Sequence, residues 1–401
     1  YFIILNYIDK IFKLYLMEIN KCQILKIALR PNLIYPMYLI LWTFLRKIIS
    51  ILISNIFHFK GSVIYTFLMF LGEFLGGFII YKYQNKFVEK NKIQIKEKNS
   101  IKFSLIEHKS QMKKKDGFIK IYFLVFMTGF FDFFEFILST YYINKIHKIS
   151  GTLQMRLGGI LIIVSSLLYW YLLKFQLFRH QIFSNSIISI CIIILISSEY
   201  FFQIFDGIIT TKDLTYAILF SALSHISIGY NNTIEKYIIE FNFLNVFFIL
   251  YCQGIIGIVF TIICAIVENP IPALKNVYDN NSVGMFILFL FFLLLYSIFG
   301  ALKNIYRMAT IMLFTPMNKH LADIIINPIY IIYYFVAGDD FKRDGKKNYF
   351  YFFTNLIILI IFDICGLIFN EFLILYCCGL DHNTYKTIAS RASKLEEMDN
   401  Y

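Results

Sequence analysis

Between residues 33 and 372 the chain is a succession of about ten apolar runs, each near the roughly twenty residues that a helix needs to cross a bilayer. They fall at about 33–57, 62–81, 118–141, 152–173, 186–204, 214–234, 243–267, 283–303, 319–337 and 349–372. Backbone N–H and C=O groups find no water in lipid, so runs of this length satisfy themselves only as helices. The expected fold class is therefore all-α, a polytopic membrane protein. Composition matters only as support: 58% hydrophobic and 16% charged over 401 residues is too apolar for a soluble domain. The formal net charge of +12 sits in the loops, which excludes nucleic acid as a partner. The 19% aromatic share belongs to a general bias toward Ile, Lys, Asn and Tyr, so single aromatic residues carry little weight.

Loop charge sets the orientation. Residues 82–120 hold twelve lysines against Glu89, Glu97, Glu107 and Asp116, and the positive-inside rule puts this loop, and with it both termini, in the cytoplasm. Lys342, Arg343, Lys346 and Lys347 run against the scheme, since they fall in a connection on the opposite side. Two glycosylation sequons offer a check: Asn280 lies in an outer loop and Asn231 beside the cytoplasm, so only Asn280 is expected to carry sugar. The chain opens on Tyr1, which reads as an incomplete start with Met17 as an alternative initiator. Residues 1–32 form an interfacial or cytoplasmic segment in which Lys10, Lys13, Lys21 and Lys26 punctuate apolar residues, and residues 376–401 form a cytoplasmic tail. The seven cysteines show neither metal-ligand nor disulfide spacing; Cys377 and Cys378, at the cytoplasmic end of the last run, are either plain thiols or palmitoylation sites.

The chemistry legible in such a chain is the set of ionisable and polar residues inside the apolar runs, because each is costly there and marks a pathway or an ion pair. Asp132 and Glu135 stand three apart in a Phe-rich run, on one face of a helix. Arg46 recurs with Ser50 and Ser54 every fourth residue, beside Lys47; this run is one span or two interfacial pieces. Glu73 lies between Gly72 and Gly76, a small-x-x-x-small contact face. Counting 1.5 Å per residue puts Glu135 and Arg156 at a shared depth, so the two form a gate or a structural ion pair. Ser221, Ser224 and His225 lie mid-run, and His320, Asp323 and Asn327 precede Pro328, which predicts a kink or a broken helix. Asp323 is about as far into its run from the cytoplasm as Arg156 is into its own from outside, a mirrored placement that hints at an inverted repeat of five runs each.

Several segments resemble the drug/metabolite transporter superfamily, especially the nucleotide-sugar-transporter-like carriers of solute carrier family 35 and the EamA-type relatives of the chloroquine-resistance transporter. Phe70-Leu71-Gly72-Glu73-Phe74 resembles a Phe-Leu-Gly-Glu signature of those carriers; Asp132 matches the Asp that opens their helix-three motif; Thr152 to Gly159 is similar to their Ser-Phe-Gln-Met-Leu-Arg-Gly pattern. Ile234 to Tyr237, Gln253-Gly254 with Gly257, and Leu321-Ala322-Asp323 match at later positions. Arg156 follows Gln154 by two residues where the family pattern has three, Gln253 stands where many relatives have Glu, and Glu135 has no counterpart.

The resemblance implies about ten transmembrane helices as two inverted five-helix repeats, 33–204 and 205–375, around a central cavity. The function it implies is secondary transport or exchange of a polar metabolite, a nucleotide sugar or a small charged metabolite or drug, in a Golgi, lysosomal or vacuolar membrane. The substrate-binding candidates are Arg46, Glu73, Asp132, Gln154, Arg156, His225, Gln253, Asp323 and Asn327. Expected partners are membrane lipid, the small-molecule substrate, a coupled proton or counter-substrate, and a second copy in a homodimer; no metal or cofactor is expected. Two readings stand beside this one: a polytopic membrane enzyme, such as an acyltransferase using His225, and a non-transporting accessory protein whose buried charges are structural pairs.

Overall fold

The computed structural model describes residues 31–59, 61–95, 118–142, 153–173, 176–204, 210–242, 244–313, 316–337, 342–343, 346–376, 379–380 and 384. Most of the N-terminal segment, most of the basic loop, Cys377, Cys378 and most of the C-terminal tail lie outside them.

Each apolar run is helical. In chain order the helices are α1 (Pro31–Phe57), α2 (Ser62–Ile95), α3 (Phe118–Phe136, continued by a π-helical turn Ile137–Tyr142), α4 (Leu153–Arg156), α5 (Gly159–Leu173) and α6 (Arg179–Glu199, with a π-helical end Tyr200–Ile204). They continue as α7 (Thr211–Asn242), α8 (Val246–Glu268), α9 (Ile271–Asp279), α10 (Val283–Leu313), α11 (Pro316–Ile324), α12 (Asn327–Ala337) and α13 (Tyr349–Phe369). Local chemistry sets several ends. Asn245 caps α8 by accepting from the backbone N–H of Phe247 at 2.9 Å, and Asn348 caps α13 through Tyr351 N–H at 3.0 Å. Asn269 closes α8 in the left-handed region, φ 41°, where Asn is tolerated.

Among the described residues, seven helical stretches are long and apolar enough to cross a membrane: Tyr35–Phe57, Val63–Tyr83, Ile119–Ser139, Arg179–Phe202, Val246–Glu268, Val283–Met312 and Tyr349–Phe369. The chain is thus a multi-pass membrane protein. The other three expected runs are helical but fall short for visible reasons. The fourth is split into α4 and α5, the ninth into α11 and α12, and the sixth, α7, is interrupted by Ser221, Ser224, His225 and a buried polar stretch from Asn231 to Lys236.

Three details correct the sequence reading. The first run is one continuous helix, so the two-piece alternative falls, but Ser54 is exposed while Arg46 and Ser50 are half-buried, so the stripe does not share one buried face. The second helix runs to Ile95 rather than ending near residue 81, because residues 82–95 contain neither Gly nor Pro and nothing halts the helix where hydrophobicity stops. The expected basic connection forms a two-residue antiparallel pairing, β1 (Lys342–Arg343) with β2 (Lys346–Lys347).

The chain divides into two compact units. The first comprises residues 1–61, 67–126 and 238–314. Within it α1 lies antiparallel to α10 along an aromatic seam: Tyr38 stacks on Tyr306 at 5.1 Å, Trp42 meets Phe299 at 5.7 Å, and Phe57 meets Phe289 edge-on at 5.2 Å. α2 crosses α8 at contact distance. A Cβ on Gly77 would stand 2.6 Å from the backbone nitrogen of Tyr251, and Cβ atoms on Gly254 and Gly257 would overlap Phe74 and Phe70. Gly72 and Gly76 pack on Ala301 and Ile305 of α10, the contact face expected of them.

The second unit comprises residues 62–66, 127–237 and 315–401. Its core joins α4, α5, α6, α7, α11, α12 and α13 through residues such as Leu157, Ile188, Leu195, Ala217, Leu321, Ile331 and Phe362. α13 is flanked by α6 on one side and by α12 on another, where Phe335 stacks on Phe352 at 3.9 Å. α3 touches α7 through Phe131 and Tyr230 at 4.8 Å.

Candidate functional site

The second unit holds two helix breaks that meet. Between α4 and α5 the break falls at Leu157–Gly158; between α11 and α12 it falls at Ile325–Ile326, immediately before Asn327-Pro328, where the sequence predicted one. Pro328 has no N–H to give and crowds the preceding turn, so the helix cannot run through it unbroken. Gly158 permits the approach: a Cβ there would meet Asn327 and Ile324 at 3.3 Å. Asn327 spans the crossing by donating from Nδ2 to the Met155 carbonyl at 3.1 Å, which satisfies an acceptor near the end of α4.

A charged residue sits at each break. Arg156, the last residue of α4, is fully buried; its Nη1 pairs with Glu199 Oε1, contacts the Tyr351 hydroxyl, and lies 3.4 Å from Asn355 Oδ1. The Tyr351 hydroxyl donates to the same Glu199 oxygen at 2.6 Å. Four buried side chains from α4, α6 and α13 thus close one network, and its hydrogen bonds offset the desolvation that a bare buried pair would suffer. Asp323, two residues before the second break, is bridged by Lys319 one turn earlier at 2.6 Å.

Around this crossing polar contacts join further helices. Gln154 donates to Ser224 of α7 at 3.1 Å, and Ser165 of α5 lies 2.7 Å from His320 Nε2 of α11. His225 is buried and donates from Nδ1 to the Ser221 carbonyl of its own helix at 2.7 Å. Asp132 is half-buried with Oδ2 enclosed and without a hydrogen-bond partner, and Glu135 is half-buried on the same helix. No family model matches the chain, and no curated protein matches it.

The site residues expected from sequence are divided between the two units. Asp132, Glu135, Gln154, Arg156, His225, Asp323 and Asn327 belong to the second. Arg46, Glu73 and Gln253 belong to the first, where each has a partner on α10. Asn304 donates to Glu73 at 2.6 Å, Arg307 donates to Gln253 at 3.2 Å, and the Arg46 guanidinium lies 5.6 Å from the Tyr296 ring centroid. Tyr296, Gly300, Asn304 and Arg307 follow a three- and four-residue spacing, so one stripe of α10 serves all three.

Equal depth along the two helices makes Glu135 the expected partner of Arg156. The structure gives Arg156 another acid, Glu199, so Glu135 is not needed to neutralise it. Depth along a helix fixes one coordinate and leaves the azimuth free, and an acid on α6 at the same level fits it as well. Glu199, Tyr351, Asn355, Asn304, Arg307 and Lys319 were not singled out from sequence. Glu199 was visible as the lone acid in its apolar run and Asn355 as the amide amid the apolar residues of α13, whereas Tyr351 is lost among neighbouring aromatics.

Proposed function

We propose that the chain is a secondary active transporter or exchanger that moves a polar metabolite, a nucleotide sugar or a small charged metabolite or drug, by alternating access. The observation that carries this reading is the crossing of two broken helices, the fourth and ninth helical segments, with Arg156 at one break and Asp323 at the other. Broken helices free backbone groups within the membrane, which is tolerated where they line a protected cavity and serves to hold a solute or coupling ion.

Packing supports two inverted five-helix repeats as the architecture. Shifting every segment by five turns the α1–α10 pair of the first unit into the α7–α3 pair of the second. It turns the α5–α6 contact, where Asn185 donates to Ser166 at 2.7 Å, into the α12–α13 contact. The α2–α8 crossing and the α6–α13 contact each map onto themselves. In the orientation read from loop charge, the Arg156–Glu199–Tyr351–Asn355 network ties together the non-cytoplasmic ends of three helices and acts as the gate on that side. An internal membrane of the Golgi, lysosomal or vacuolar kind, with both termini cytoplasmic, is the setting proposed.

The test is uptake and counterflow in proteoliposomes with UDP-glucose, glutamate, dialanine and tetraphenylphosphonium as probes. Wild type is expected to exchange at least one of them, and Asp132→Asn to reach the membrane folded but lose that exchange. If no probe moves, the reading fails for these solute classes.

A further inference from the structure

Asp363 lies about 21 Å along α13 and about 9 Å before its end at Phe369, inside an apolar helix that is long enough to cross a membrane. It is half-buried, and its Oδ1 is enclosed with no hydrogen-bond partner among the described residues. Among the described residues, the titratable groups on the helices packed against α13 are engaged elsewhere, exposed at a helix end, or uncharged. On α6, Glu199 is held by Arg156 and Tyr351, His180 faces Glu371 at 3.4 Å, Arg179 is exposed at the helix start, and Cys191 is a thiol. On α11, Lys319 binds Asp323 and His320 binds Ser165. α5 and α12 contribute only tyrosines, Tyr169, Tyr171, Tyr330, Tyr333 and Tyr334, and α13 itself adds Tyr349, Tyr351 and Cys365.

The neighbours of Asp363 connect it to both helix breaks. Phe362, one residue before, packs on Gly159 at the start of α5, and Gly366, three residues after, faces Leu321 and Ile324 at the end of α11. Any rearrangement at the crossing therefore changes what surrounds Asp363. An unpaired carboxylate in this setting is strongly disfavoured, whereas a neutral carboxyl is tolerated.

We propose that Asp363 is a proton-coupling site: it holds a proton while enclosed by the packed helices and exchanges it with water when the breaks rearrange. On the side with low proton activity its O–H bond breaks, the proton passes to water and the carboxylate remains; on the opposite side the carboxylate takes a proton from hydronium. No redox partner is involved. This inference rests on the transporter reading and assigns its coupling ion.

The experiment compares wild type, Asp363→Asn and Asp363→Glu in the same proteoliposomes and with the same four probes. It records counterflow without a gradient and accumulation under a pH gradient of about one unit, whose ceiling for one coupled proton is about tenfold. Wild type should do both. Asp363→Asn should keep counterflow but lose gradient-driven accumulation, and Asp363→Glu should restore part of it. Infrared spectra of the purified protein at neutral pH should show a protonated-carboxyl band that Asp363→Asn lacks. Accumulation by Asp363→Asn equal to wild type, or an unchanged infrared band, overturns the proposal. Wild-type counterflow without any response to the gradient removes this proposal alone; absence of counterflow with every probe removes the transporter reading and the proposal with it.

Discussion

Replacing Arg156 by Met tests whether the buried network is a true ion pair. The substitution keeps most of the side-chain volume but leaves Glu199, fully buried, without its guanidinium partner. Removing one partner of a buried pair costs about 3–5 kcal/mol, because the other charge stays uncompensated. Tyr351→Phe removes the hydroxyl that donates to Glu199 and accepts from Arg156 but leaves the Arg156–Glu199 pair in place, so it should be milder, at about 1.5–3 kcal/mol. The double variant Arg156→Met with Glu199→Leu removes both charges and should recover most of the loss, since a buried pair and an apolar replacement are often of similar stability. Denaturant-induced unfolding of the detergent-solubilised protein, followed by circular dichroism, measures wild type, Arg156→Met, Glu199→Leu and the double variant as one cycle, with Tyr351→Phe beside it. A single variant as stable as wild type, or a double variant whose cost is the sum of the two singles, would refute the reasoning.

Three further outcomes follow from the packing. Gly254→Val, at the α2–α8 crossing where a Cβ would overlap the Phe74 backbone, should lower stability by about 1–3 kcal/mol, while Gly284→Ala, with nothing within 4 Å, should change it by less than about 0.5 kcal/mol. The midpoint of the same unfolding curve reads both. Asn327→Ala removes the bond to the Met155 carbonyl and should cost about 1 kcal/mol, with a larger proportional loss of exchange because the two breaks are no longer tied. Expressed in a glycosylating host, the protein should carry an enzyme-removable sugar that disappears with Asn280→Gln and is unaffected by Asn231→Gln. Asn280 is exposed, whereas Asn231 is buried inside α7; sugar at Asn231 would upset both the topology and this packing.

What sequence can reveal here follows the physics of lipid. Hydrophobic run length is one-dimensional and survives folding, so the helical segments stand close to where periodicity and length put them, and the break at Asn327-Pro328 was legible because Pro acts locally. The break at Leu157–Gly158 was not, since Gly158-Gly159 in an apolar run reads equally well as a close-packing face. Partners are a two-dimensional question: Arg156 finds Glu199, and Glu73 finds Asn304, through helix azimuths that no spacing in the chain encodes. The small-residue face of Gly72 and Gly76 was readable because close approach demands the absence of a side chain wherever the neighbour lies.

Alternating access is tested most directly by asking from which side the crossing can be reached. With alanine at the seven native cysteines and cysteine in place of Ser224, the residue bound by Gln154, the protein is reconstituted in a known orientation and treated with a membrane-impermeant maleimide from either face. The account predicts labelling from both faces, with Glu199→Gln, which loosens the network around Arg156, speeding labelling from the non-cytoplasmic face. Labelling confined to one face whatever the variant, or none at all, would contradict it.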